Sequence, residues 1–142
     1  MKKPASLRAA IAAAIPDLAA NPDRFLVFVD AGTVTAFNST SLSFDYQYTL
    51  NLILTDYAGD PDQVFLPLLA WVHANQSELL ANDDKRRKGI EFEVDHLNHT
   101  TCDISIKLAL EESVLVQINA EGVQTITHLD EPVPEWERTG LA

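Results

Sequence analysis

The sequence has 142 residues, of which 46% are hydrophobic, a length and composition that suit one globular domain. Twenty-one acidic residues against ten basic ones give a formal net charge of −11. Because phosphate backbones and anionic lipids are bound by basic faces, this balance argues against a general nucleic-acid binder and a membrane-surface protein. The charge either serves solubility alone or keeps the surface from adhering to DNA that passes close by. A single cysteine, Cys102, allows no intramolecular disulfide and fits a reducing compartment.

The N-terminal segment superficially resembles a signal peptide, because two lysines precede an alanine-rich run. Arg8 and Asp17, however, interrupt the apolar part. We interpret the segment as an amphipathic helix of the mature protein, which Pro16 kinks or divides. No stretch is long and apolar enough to cross a membrane. The apolar stripe of the helix is Leu7, Ile11, Ile15 and Leu18.

The next stretch is apolar and then becomes polar. Arg24 to Val29 has apolar side chains on both parities, which predicts a strand covered on both faces. Asp30 to Thr33 is predicted as a turn, and Val34 to Phe37 as a short returning strand. A polar connection over Asn38 to Ser41 follows.

The longest regular pattern runs from Ser41 to Asp56. Apolar and polar side chains alternate, with Ile53 the one aliphatic residue on the polar parity, which predicts a strand with one solvated face. The stretch is longer than most strands of small domains, so it serves a larger sheet or projects beyond the domain. We expect four of its side chains to be buried against the helices: Tyr48, Leu50, Leu52 and Leu54.

A second helix is predicted after Asp60, which suits the N-cap position, with Pro61 first in the helix. Pro67 is expected to bend this helix, which ends near Asn75. The charged segment from Asn82 to Gly89 is predicted as a solvated loop. The apolar stripe of the helix is Val64, Phe65, Leu68, Leu69 and Val72, with Trp71 at its margin.

The second half alternates between strands and turns. Ile90 to His96 and Cys102 to Leu110 both alternate apolar with polar side chains, and a short break is predicted at Glu111 to Ser113. Val114 to Ile118 and Val123 to Leu129 flank a short turn and are predicted to form a hairpin.

These elements predict an α+β fold, in which a mainly antiparallel sheet has two helices packed on one face. Residues 1–129 are predicted to form a single domain. Residues 130–142 are predicted to form an acidic, proline-containing tail that is mobile or ordered by a partner. We find no internal repeat.

One spacing is similar to that of a metal site. His96, His99 and Cys102 follow the pattern H-x2-H-x2-C, and zinc binds His and Cys side chains at tetrahedral sites. No second ligand pair completes the set, and Cys102 falls on the apolar parity of its strand, as a small core residue does. We therefore expect no metal here. His73 and His128 are interpreted as surface or interface residues.

Asp56, Asp60 and Asp62 have part of the spacing of a calcium loop, but the central glycine and the downstream glutamate are not at the required positions. Helix capping is the stronger interpretation of this cluster. The sequence contains neither a nucleophile elbow nor a glycine-rich phosphate loop. It predicts no cofactor and no enzymatic activity.

Several runs, taken in order, resemble one known family. They are NPDRFLVFVDAG, SLSFDYQYTLNLILTDYAGDPDQVFLPLLAWV, ELLAN, DISIKLALEESVLV and EPVPE, preceded by KKPASLRAAI. Together they cover nearly the whole chain and are similar to the tail completion protein R family of P2-like phages. No single run is diagnostic of a chemistry, and the family has no catalytic residues to carry over.

The resemblance implies a morphogenesis protein of a contractile-tailed phage or prophage, with a fold like that of tail terminators. Such a protein acts at the head-proximal end of the tail as a homo-oligomeric ring, hexameric by analogy, which caps the tube and makes the tail competent to join the head. The implied partners are tail tube, sheath and head-tail connector proteins, first in the host cytoplasm and then in the virion tail. The alternative is a transient adaptor or chaperone for another tail protein.

Two exposed segments are candidates for contacts between subunits or with the tail tube. The first adjoins a strand too long for one small sheet, where a free edge is open to another subunit. The second is the one basic cluster, either a solvated loop or a partner for acidic groups on another protein. The residues are Asp30, Ala31, Gly32 and Thr33 in the first segment, and Lys85, Arg86, Arg87 and Lys88 in the second.

Overall fold

The computed structural model describes residues 1–37 and 40–129. The predicted tail at residues 130–142 and the first half of the predicted polar connection, residues 38 and 39, lie outside the described residues. The elements in chain order are α1 (Lys3–Ala14), α2 (Pro16–Ala20), β1 (Phe25–Ala36), β2 (Phe44–Tyr57), α3 (Asp62–Asn75), α4 (Asp83–Lys88), β3 (Ile90–His96), β4 (Cys102–Ile118) and β5 (Gln124–His128). Short 3-10 turns cover Pro22–Arg24 and Ser77–Leu80.

The described strands form one sheet in the order β1-β2-β4-β3, and β5 pairs with the C-terminal part of β4. Every pairing among them is antiparallel. Val114 of β4 pairs with Phe44 of β2 on one side and with His128 of β5 on the other, so β5 lies on the same side of β4 as β3 does. The α+β class and the mainly antiparallel sheet are confirmed.

The core lies between one face of the sheet and the helices. As the alternation predicts, Leu50, Leu52 and Leu54 of β2 are fully buried, and Tyr48 is only 5% exposed. The alternation identifies the buried residues because successive side chains of a strand point to opposite faces of the sheet. Helices α1 and α3 cover this face, and their fully buried side chains are Leu7, Ile11, Val64, Leu68 and Val72.

The helices differ in number from the prediction, because the described residues contain four α-helices rather than two. Pro16 divides the first helical segment, as expected: α1 ends at Ala14 and α2 begins at Pro16. In α3, Trp71 is buried and its Nε1–H donates to Ser6 Oγ at 3.0 Å, whereas Leu69 is 38% exposed. The predicted apolar stripe of this helix is therefore wrong at its margin, because Trp71 belongs to the buried face and Leu69 does not.

The structure corrects the interpretation of β1. The apolar run that predicted a strand covered on both faces belongs to an edge strand, which pairs with β2 alone. Leu26, Phe28 and Val29 are 40–50% exposed, so the apolar side chains on both faces of this strand are not covered by the rest of the described fold. The predicted turn from Asp30 to Thr33 is also wrong, since β1 continues through it with an irregularity in register between Val29 and Ala31.

Two further predictions are wrong. The segment predicted as a solvated loop contains α4, which begins after Asn82, whose Oδ1 accepts the Lys85 N–H at 2.9 Å. The predicted break from Glu111 to Ser113 lies inside β4, which runs for 17 residues without interruption. The predicted hairpin between the end of β4 and β5 is confirmed, with Gly122 at φ 81° in its turn, where glycine carries little strain.

The long strand β2 begins three residues later than the alternation predicted, at Phe44 rather than Ser41. Leu42, which shares the buried parity, is 59% exposed because it precedes the strand. No helix among residues 1–37 and 40–129 has the length and apolar character needed to cross a membrane.

Candidate assembly interface

The first predicted interface segment lies on the free edge of the sheet. Asp30, Ala31, Gly32 and Thr33 are all exposed in β1. A Cβ atom on Gly32 would lie 2.9 Å from the carbonyl oxygen of Gln47, so glycine permits the close approach of β1 to β2 there. The segment thus presents backbone and small side chains rather than the tip of a turn.

The second predicted segment, Lys85 to Lys88, forms the exposed surface of α4. Lys85 Nζ lies 2.6 Å from Glu78 Oε1, and this hydrogen bond raises the pKa of the Lys85 ammonium. Arg86 pairs with Asp83 in the same helix and donates to the Leu80 carbonyl oxygen at 3.1 Å. Arg87 and Lys88 form no ion pair with any residue that the structure describes, so their charges are open to a partner.

The structure brings the two segments to the walls of one groove of about 680 Å³. Its floor is the face of the sheet opposite α1 and α3, where Gln47, Thr49 and Ala109 lie in adjacent strands. Ala31, Gly32 and Thr33 form one wall, and the other contains Lys85 and Lys88. Asp30, Arg86 and Arg87 are not part of the lining.

One end of the sheet, which we call the apolar tip, extends beyond the helices. The β4–β5 hairpin continues four residues past Val114, the last β4 residue paired with β2, or about 13 Å at the usual rise per residue. Exposed apolar side chains gather here although the chain is strongly acidic, and such a patch commonly marks a protein contact. The apolar tip consists of Val34, Phe37, Leu42, Ile118, Val123, Ile126 and Leu129, which are 46–71% exposed.

Acidic side chains gather at the opposite end of the sheet, which we call the acidic end. Asp95 and Asp103 face each other across β3 and β4. Asp103 Oδ1 accepts the Asp56 N–H at 3.0 Å, and Asp60 Oδ1 accepts the Asp62 N–H at 2.9 Å at the start of α3. The predicted N-cap is wrong by one residue, since Pro61 is the N-cap and α3 begins at Asp62, although the Asp60 carboxylate still accepts the first N–H of the helix. The acidic end and the apolar tip give the molecule two unlike poles.

The histidines and the cysteine do not converge on an ion site. His96 pairs with Cys102 across β3 and β4, and His99 lies in the turn between them. Burial raises the pKa of the Cys102 thiol, and the carboxylates of Asp103 and Asp60 add to this effect. Among the described residues, no three His, Cys, Asp or Glu side chains are grouped so that they could hold a metal ion.

Sequence reasoning missed a buried carboxylate, Glu112, which is 7% exposed. Its Oε1 accepts the Lys2 N–H at the start of α1, and its Oε2 accepts the Tyr48 hydroxyl, both at 2.7 Å. Burial would raise the pKa of the Glu112 carboxyl, but these donors together hold it below its ordinary value. Burial, and then the hydrogen bond to Glu112, raise the pKa of the Tyr48 hydroxyl. His128 Nδ1 lies 3.6 Å from Glu112 Oε1, so this cluster joins α1 to β2, β4 and β5.

Gln76 was also missed, and it fills a gap in the sheet. Between β3 and β5, no strand pairs with the side of β4 at Glu111. The side chain of Gln76, 2% exposed, accepts the Glu111 N–H at 3.1 Å, and Lys3 Nζ donates to the Glu111 carbonyl oxygen at 2.7 Å. Both contacts depend on chain segments far apart in sequence, so no local pattern indicates them.

Comparison with known proteins supports the resemblance described above. The family model for P2 phage tail completion protein R (GpR) matches residues 1–132. Tail completion protein R of Escherichia phage P2 is 41% identical over 134 residues, which cover 94% of this chain and 86% of that protein. No solved structure matches the chain, so the likeness to the tail-terminator fold stays a prediction. The match of the family model along nearly the whole chain shows that the protein belongs to the P2 phage tail completion protein R family.

Proposed function

We propose that this protein acts at the head-proximal end of a contractile tail as a ring, hexameric by analogy with tail terminators, which caps the tube and makes the tail competent for head joining. The observation that carries the proposal is the 41% identity to a protein named for tail completion, over 94% of this chain. The family model matches residues 1–132, a range that contains every residue that the structure describes.

The charge distribution supports a ring around a passage for DNA. The chain carries a formal net charge of −11, and the acidic end concentrates carboxylates on one pole. A passage lined by negative charge repels phosphates, so DNA moving through it is not held by the wall. A basic lining would bind the same DNA and slow it.

The proposed role is structural rather than catalytic. In the groove, Glu78 pairs with Lys85, so neither of these two groups is arranged to activate a nucleophile. The apolar tip supports contacts with other proteins, and we assign tail tube, sheath and head-tail connector proteins as the partners. Assembly takes place in the host cytoplasm, and the protein then stays in the virion tail.

Complementation of tails made without this protein tests the proposal. Purified protein is added to such tails, head joining is measured by infectivity, and the tails are viewed by negative-stain microscopy after excess protein is removed. We expect infectivity to be restored and an additional ring to appear at the head-proximal end, labelled by antibody against this chain.

Two other outcomes contradict parts of the proposal. Restored infectivity on tails that retain none of the protein would favour the transient adaptor or chaperone over the ring. Failure to restore infectivity, by protein with a normal melting temperature, would refute the role in head joining.

A further inference from the structure

The sheet has two free edges, and one of them lacks the features that usually prevent pairing. β1 pairs only with β2, and β3 only with β4, among the residues that the structure describes. Edge strands are commonly protected by prolines, charges or short length. β1 runs for 12 residues, contains no proline and carries one charge, Asp30. Its side chains after Phe25 are partly or fully exposed, so the edge is accessible.

The two free edges lie at the same height along the strands. Val27 pairs with Leu52, Leu52 with Ile106, and Ile106 with Phe92. Val27 and Phe92 are therefore the two ends of a single row across the sheet, and their side chains point to the same face. A second copy in the same orientation would place its Phe92 beside Val27 of the first.

The directions of the strands also match. β1 is antiparallel to β2, which is antiparallel to β4, which is antiparallel to β3. β1 and β3 therefore run in opposite directions. Two copies set side by side in the same orientation bring β1 of one against β3 of the next as an antiparallel pair, the arrangement that the rest of the sheet uses.

At one level of the sheet, the two edges carry charges of opposite sign. Asp30 lies at the register irregularity of β1, between Val29 and Ala31. Across the sheet, Val29 shares a row with Ile90, and Ala31 shares a row with Ala109. The Ala109 N–H donates to the carbonyl oxygen of Gly89, the residue after Lys88. Asp30 on one edge is thus level with the end of α4 on the other, and neither Asp30 nor Lys88 has an ion-pair partner among the described residues.

We propose that the two exposed segments, Asp30–Thr33 and Lys85–Lys88, are the two halves of one contact between copies of this chain, in which β1 of one copy pairs with β3 of the next and Asp30 meets Lys88. The inference rests on the proposed ring and gives its subunit contact. Because the two edges differ, the contact is head-to-tail, and it closes into a ring when the rotation between copies allows closure.

A disulfide between copies tests the strand pairing. In the double variant Val27→Cys with Phe92→Cys, the two thiols of one copy are three strand spacings apart, roughly 14 Å along the sheet and beyond disulfide reach. Mild oxidation of the full chain is expected to give a ladder of covalent multimers on a non-reducing gel. Each single variant, which also carries the buried Cys102, is the matched control and is expected to give no ladder. Monomers from the double variant, or equal linking by a single variant, would overturn the pairing.

A charge exchange tests the ion pair and separates this inference from the proposed function. Asp30→Lys and Lys88→Asp are each expected to weaken self-association at least several-fold, measured by light scattering, and the two together are expected to restore it. Arg86→Asp, at a residue already paired within α4, combined with Asp30→Lys is the control that is not expected to restore it. Restored infectivity without any disulfide ladder would refute the β1–β3 contact and leave the proposed function standing. A full disulfide ladder without restored infectivity would support the β1–β3 contact and refute the proposed function.

Discussion

Leu52 is fully buried, in a row between Val27 on β1 and Ile106 on β4. Leu52→Ala removes apolar burial and leaves a cavity in the core, so we expect the free energy of unfolding to fall by about 2–5 kcal/mol. Ile53→Ala, at a partly buried position on the opposite face, is the control and is expected to cost less. A melting temperature equal to that of the unaltered protein would mean that Leu52 is not in the core.

Glu112 is a second position where one side chain decides stability. Glu112→Gln keeps the shape but removes the charge that accepts the Lys2 N–H and the Tyr48 hydroxyl. We expect a loss of about 1–3 kcal/mol near neutral pH, as for a hydrogen bond to a buried charged group. Urea unfolding measures the loss, and Glu121→Gln in the exposed β4–β5 turn is expected to leave stability unchanged.

The same variant gives a pH dependence. The pKa of the Glu112 carboxyl is lower in the folded protein than its ordinary value. Its stabilising contribution is therefore fully present above the ordinary carboxyl pKa and is lost as the pH falls through the lower, folded value. The difference between Glu112→Gln and the unaltered protein should shrink over that acidic range. A difference that grew as the pH fell would contradict the proposed direction.

At the scale of elements, β4 carries the sheet because it pairs along both sides. On the side that pairs with β3 and β5, the stretch of β4 at Glu111 lies between these two strands and is satisfied by Gln76 and Lys3. Gln76→Ala leaves the Glu111 N–H without its acceptor in a half-buried site, so we expect a loss of about 1–3 kcal/mol. Hydrogen exchange should show faster exchange of the Glu111 amide. Gln117→Ala, at an exposed position of the same strand, is the control, and an equal loss there would refute a special role for Gln76.

The elements differ in how far the sequence predicted them, for physical reasons. Alternation identified the buried side of β2 because one face of that strand meets the core and the other does not. The break predicted at Glu111 to Ser113 is wrong because two adjacent glutamates are typical of a solvated segment. In the structure their hydrogen-bond partners come from residues distant in sequence, namely Lys2, Lys3 and Gln76. Asp30 to Thr33 resembles a turn by composition, yet pairing with β2 holds it extended.

The sequence predicted which residues form the candidate interface but not how they are arranged in space. The sequence indicated a segment near Asp30 and a basic cluster near Arg87, whereas their equal height on opposite edges follows only from strand register. α4 was missed because its apolar content is nil, which removes the periodic signal that identifies helices. Its Asn82 cap and acidic first turn were local signals that could have indicated it.

At the scale of the whole molecule, we propose that residues 1–129 form one domain that does not depend on residues 130–142 for stability. A chain ending at Leu129 is expected to keep the melting temperature of the full chain, because residues 1–37 and 40–129 already form a buried hydrophobic core between the sheet and the helices. Thermal unfolding of both chains measures this. A clear drop in melting temperature on truncation would show that the last residues belong to the domain.

The contact between Lys2 and Glu112 joins residues 110 positions apart, and Lys3 reaches Glu111 over a similar span. A ribosome makes the first helix long before it makes β4, so during synthesis α1 has neither its carboxylate nor the strand it packs on. The fold therefore closes late, after nearly all of the described chain has emerged, and contacts of such long separation fold slowly. In the ring that we propose, an unfinished chain therefore lacks a folded subunit contact, and ring formation waits until a copy is complete.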